Sequence, residues 1–140
     1  MNIKEATIKD MADSLLMGNT CFLHTLTGDF EHYPTEIDLM YGEDNPWQDI
    51  IDKVENNWHD YIRIDPMNSH RAFTVMASFA EQLEEGRFRE ILINALNRPK
   101  PFRHFNHLIH QSDYRQAWFN FRQEKNEEWV KEKISDNWIE

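Results

Sequence analysis

The sequence predicts an α+β domain: a small antiparallel sheet, made of a hairpin and a third strand, packed against a mostly helical C-terminal half. Three observations carry this. The glycine turn Thr27-Gly28-Asp29 separates two runs rich in aromatic residues and threonine. The run Tyr61-Ile-Arg-Ile64 stops at Asp65-Pro66, where a proline removes the next ladder donor. From Asn68 onward apolar residues recur at i, i+3 and i+4, and no further strand pattern appears.

The first element is a short amphipathic helix. Thr7 followed by Asp10 reads as a capped start, Ile8, Met11, Ala12, Leu15 and Leu16 share one face, and Gly18 stands where a left-handed cap belongs. Cys21–Leu26 and Phe30–Tyr33 form the hairpin, closed by Pro34. Residues Glu36 to Glu55 read as an acidic helix, with Trp47, Ile50, Ile51 and Val54 at helical spacing and Pro46 near the first turn. Tyr61–Ile64 is the third strand.

The helical part opens with a cap at Asn68 or Ser69. Ala72, Phe73, Val75, Met76, Phe79, Ala80 and Leu83 then cover a broad apolar face, which suits a helix central to a core. Gly86 breaks that helix. Phe88, Ile91, Leu92, Ala95 and Leu96 stripe the next one, which Arg98-Pro-Lys-Pro101 ends. A proline-started helix follows around Phe102, Phe105 and Ile109. Ser112 or Asp113 caps the last helix, which brings Tyr114, Trp118 and Phe121 to one face and runs to about Ile134.

Length and charge bound the function. A chain of 140 residues fits one domain, 1–140, divided into a sheet-bearing part at 1–66 and a helical part at 67–140. Such a chain buries roughly 70% of its unfolded surface. The formal charge of −10 opposes general binding to nucleic acid or an anionic membrane, because both need a positive field. A single cysteine, Cys21, forms no internal disulfide, and the opening residues lack a signal-peptide core, so the expected compartment is the cytoplasm. No apolar run approaches the ~20 residues of a spanning helix.

The basic charge is concentrated in one place. Between Asn97 and Arg115 stand Arg98, Lys100, Arg103 and Arg115 against Asp113 alone, so this stretch carries +3 and the rest of the chain −13. With His107 and Arg122 these arginines form the candidate site for a carboxylate or phosphate, which arginine receives with a bidentate fork. The competing reading is an internal clamp, in which Arg103, Arg115 and Arg122 pair with acids of the Glu36–Glu55 segment or with helix C-terminal carbonyls. His104, His107 and His110 lie three apart, and His104 and His107 with Asp113 could supply a metal-dependent hydrolase site. The same spacing also suits a solvated polar face. Arg103, Phe105, Trp118 and Phe121 would offer an RNA-stacking platform if they were exposed, though Trp118 and Phe121 at helical spacing fit a core better.

No phosphate loop, nucleophile elbow or paired CxxC occurs. Cys21 reads as a buried strand residue. Trp129, Val130, Ile134, Trp138 and Ile139 punctuate a charged tail, which either covers a core edge or docks against a second copy.

A resemblance covers the chain from Cys21 onward. Its residues are Tyr61-Ile-Arg-Ile-Asp-Pro66, then Ser69, Met76, Phe79 and Ala80, then Arg87, Arg89, Ala95-Leu96, Phe102-Arg-His-Phe105, and Arg115, Trp118, Phe121 and Arg122. Together with the Leu26-Thr-Gly-Asp29 turn, these resemble a small bacterial family, uncharacterised protein family 0158. Position 104 departs from it, being His where that family's pattern has a basic residue. The Glu36–Glu55 segment is also less repetitively acidic. The resemblance implies a compact intracellular domain and no agreed activity.

The residues therefore lead to a non-enzymatic binding domain, without a cofactor. It would receive a protein partner or anionic ligand through the 98–122 region, with self-association left open.

Overall fold

The computed structural model describes residues 3–138, which fall into two compact units. The first comprises residues 3–66 together with 126–138; the second is Met67–Lys125. The helical C-terminal half is thus divided, because the end of the last helix belongs to the sheet-bearing unit. The α+β architecture is as the sequence predicts.

In the first unit, α1 (Glu5–Leu16) leads into β1 (Asn19–His24), β2 (Phe30–Pro34), α2 (Ile37–Met40), α3 (Gln48–Asn56), a 3-10 turn at Trp58–Asp60 and β3 (Tyr61–Ile64). The sheet order is β2-β1-β3 and both pairings are antiparallel, with Leu23 opposite Phe30 and Ile62. Successive side chains of β1 serve opposite faces. Cys21 turns toward α1, where its Sγ donates to the Met11 carbonyl at 3.7 Å. Phe22 stacks on Tyr33 at 4.9 Å, with the Arg63 guanidinium 5.9 Å from its ring centre.

Gly28 adopts φ +78, a conformation costly for any residue with a Cβ, and this lets the hairpin loop close on itself. Its N–H donates to the His24 carbonyl at 2.9 Å, and the His24 N–H donates to the Asp29 carbonyl at 2.8 Å.

Three local expectations need correction. The first helix begins at Glu5, not Thr7, because the ladder already starts with the Ile8 N–H on the Lys4 carbonyl at 3.1 Å. Glu5 then places a carboxylate at the positive end of the helix. The acidic segment is not one helix. Asn45 accepts from the Trp47 N–H at 2.9 Å, a turn that puts Pro46 ahead of α3 rather than inside it. The last helix, α7 (Arg115–Asn137), is capped by neither Ser112 nor Asp113. The Trp118 N–H reaches the Tyr114 carbonyl at 2.9 Å, while Ser112 Oγ accepts from the Tyr114 N–H and shapes the preceding turn.

The second unit holds α4 (Ser69–Gln82), α5 (Arg87–Leu96), α6 (Pro101–His110) and the beginning of α7. Asn68 caps α4 by accepting the Arg71 N–H at 2.8 Å. Its core is Val75, Met76, Phe79, Ala80, Leu92, Leu96, Phe105, Ile109 and Trp118, with Phe121 packed against it. α4 is the central helix the broad apolar face predicts.

Trp129, Val130 and Ile134 of the tail are buried, and Trp129 Nε1 donates to the Asp65 carbonyl at 2.9 Å within the first unit. Those side chains cover a core edge. Ile139 lies outside the described residues. Among the described residues no helix is long and apolar enough to cross a membrane.

Candidate functional site

The connection from α5 to α6 is short and strained. Lys100 sits between Pro99 and Pro101 with φ 58, a left-handed conformation that costs a non-glycine residue about 1–2 kcal/mol. This tight corner folds the end of α5 back alongside the start of α6. Ile91, Asn94, Ala95 and Arg98 recur at i, i+3, i+4 and i+7; His104, His107 and Leu108 follow the same rule on α6. The two stripes meet in an open groove of about 340 Å³ lined by those seven residues. Its apolar part is Ile91, Ala95 and Leu108, and its polar groups are Asn94, Arg98, His104 and His107. All four can donate hydrogen bonds, and no acid lines the groove.

Arg103 is exposed on α6 and does not line this groove. Arg115 and Arg122 lie on α7 at i and i+7, with Phe119 between them. Their guanidinium carbons stand 5.4 and 5.2 Å from the Phe119 ring centre, and Arg122 also lies 5.7 Å from the Trp118 ring centre. His110 meets the same phenyl edge-on at 5.8 Å. Burial holds the Arg122 pKa below its ordinary value, although an arginine remains charged at physiological pH.

The basic stretch therefore divides into two clusters in space. Arg98, His104 and His107 line the groove; Arg115, Phe119, Arg122 and His110 make an arginine–aromatic face. Among the described residues, Arg98, Arg103 and Arg115 make no ion pair.

The metal reading is not assembled. Among the described residues no three His, Cys, Asp or Glu side chains gather where they could hold an ion. Asp113 sits exposed in the turn before α7, and the helical twist carries His110 round to Phe119, away from the groove of His104 and His107. The stacking platform is closed too, since Phe105 and Trp118 are buried.

The sequence reading missed Asn94, Ile91 and Phe119 as members of these clusters. Each lay in a readable helical stripe, with Arg98 or between Arg115 and Arg122. Only the pairing of stripes on different helices was out of reach.

Cys21 is fully buried, and that burial raises its pKa from 9.0 to about 11 against a smaller lowering by the hydrogen bond with Ser14. Near neutral pH its reactive thiolate is thus about a hundredfold scarcer than that of an ordinary thiol. Labelling of the native protein with a thiol reagent is expected to run at least that much slower than labelling in urea. Equal rates would show that the thiol is exposed.

The model of an uncharacterised protein family, UPF0158, matches residues 25–140, starting a few residues after the expected Cys21. The chain is also similar to the UPF0158 protein PA5073 of Pseudomonas aeruginosa, 28% identical over 103 residues, which are 73% of this chain and 67% of that protein. No solved structure matches it significantly.

Proposed function

This chain belongs to the uncharacterised protein family UPF0158, and we propose that it acts there as a non-enzymatic binding module, taking an anionic group of a partner protein between α5 and α6. One observation carries the reading. The groove gathers an arginine, two histidines and an asparagine over an apolar floor, in a chain whose other residues are heavily acidic. The donors suit a carboxylate: Arg98 offers a fork, and the asparagine and histidines offer side-chain N–H groups.

Arg98, His107 and Asn94 make the primary contact. Arg103 and Arg115 add long-range attraction, and Arg122 with Phe119 forms a neighbouring arginine–aromatic surface on α7. The lone buried thiol fits a reducing compartment, so we place this activity in the cytoplasm.

The test uses a fluorescent hexaglutamate peptide. Arg98→Ala is expected to weaken its binding at least tenfold, which is the worth of one charge-assisted hydrogen bond of about 1.5–3 kcal/mol. His107→Ala should weaken it less. Binding that is absent, or unchanged in both variants, refutes the proposal.

A further inference from the structure

The strongest feature outside the basic stretch lies in the sheet-bearing unit, where large apolar side chains stand in water. Met17 is 78% exposed, Leu39 84% and Met40 56%. Met17 and Met40 flank a groove of about 520 Å³ whose remaining lining is Gly18, Asn19, Pro34, Thr35, Glu36 and Pro66. That volume accommodates one or two large side chains.

The floor of this groove is tied together by hydrogen bonds. The Thr35 N–H donates to the Gly18 carbonyl at 3.0 Å, Asn19 pairs with Pro34 in the ladder, and Thr20 and Thr35 share a hydroxyl bond at 2.9 Å. The wall formed by α2 is anchored through buried Ile37, which leaves Leu39 and Met40 facing outward. Flexible methionines over a hydrogen-bonded floor suit a surface that adapts to an incoming apolar side chain.

Charge decides the occupant. Residues 36–44 contain Glu36, Asp38, Glu43 and Asp44 and no basic residue. A second copy of this chain carries a net −10, so long-range repulsion disfavours it as the occupant. We propose that this groove docks a basic amphipathic segment of another protein, an apolar side chain entering between Met17 and Met40 while lysines or arginines meet the acids of residues 36–44. The occupant is opposite in sign to the one assigned to the α5–α6 groove, so the two surfaces serve different ligands.

A labelled peptide of repeating Leu-Lys-Lys-Leu is the probe, with a Ser-Lys-Lys-Ser peptide of equal charge and a Leu-Glu-Glu-Leu peptide as controls. The leucine–lysine peptide should bind at least about tenfold more tightly than either control. Its binding should fall about tenfold in Met17→Ser/Met40→Ser, whose exposed positions leave the fold intact by circular dichroism. Backbone amide shifts on binding should concentrate at residues 17–19 and 34–41. Glu36→Gln/Asp38→Asn/Glu43→Gln/Asp44→Asn should weaken binding and flatten its salt dependence. Equal binding by Ser-Lys-Lys-Ser, or indifference to the methionine changes, overturns the proposal by reducing it to charge alone. Overturning it as well would be a dimer in the unliganded protein that the methionine variant abolishes, since a second copy would then be the occupant.

Discussion

Replacing Trp118 with alanine is expected to cost about 3–5 kcal/mol, the range for deleting a large aromatic side chain from a close-packed core. Trp118 is 2% exposed and meets Phe105 at 4.9 Å and Phe79 at 5.3 Å, both edge-on, with Phe121 at 6.4 Å. Such pairs add to the area each ring buries. No short side chain can collapse into the gap between three rings held by α4, α6 and α7.

Trp118→Phe should behave differently. Among the described residues Trp118 Nε1 is buried and has no hydrogen-bond acceptor. Phenylalanine removes that unsatisfied donor, which offsets part of the lost volume, and the cost should stay below about 1.5 kcal/mol. The readouts are urea unfolding followed by circular dichroism and amide-exchange protection in α4, α5 and α6. An alanine variant with unchanged midpoint and protection would mean that the three phenylalanines hold the unit without Trp118.

Trp129→Ala is the corresponding change in the sheet-bearing unit, with an expected cost of about 3 kcal/mol. The indole is 7% exposed, its Nε1 donates to the Asp65 carbonyl at 2.9 Å just past β3, and Lys133 Nζ lies 4.4 Å from its ring centre. Here phenylalanine should not rescue fully, because the Nε1 hydrogen bond is made rather than missing; about 1 kcal/mol should remain lost. Amide exchange at Tyr61–Ile64 reports the loss. If Trp129→Phe matched the natural protein, the hydrogen bond would carry no net stability.

The two tryptophans also show where sequence reasoning stops. Both stand at helical spacing on one continuous helix, so both read as apolar stripe residues. Nothing local says that one serves the helical unit and the other the sheet-bearing unit, because the helix has no break at residue 126. Thr7 failed as a cap for a related reason. A threonine followed by an acid three residues later is a common pattern, but the backbone ladder had already begun at Lys4.

What the sequence by itself determined is local and periodic. β3 occupies Tyr61–Ile64 as read, since alternation ends at a proline; Asn68 caps α4; Gly28 turns the hairpin; and the apolar face of α4 marks the centre of a core. Each of these depends on a few neighbouring residues and a fixed backbone period. Tertiary structure alone decided that the basic stretch separates into two surfaces, that Asn94 and Ile91 join Arg98 opposite His104 and His107, and that residues 126–138 belong to the sheet-bearing unit. Those outcomes depend on how separate stripes turn toward one another, and that angle is set at corners such as Pro99-Lys100-Pro101 and by packing over the whole core rather than by spacing along the chain.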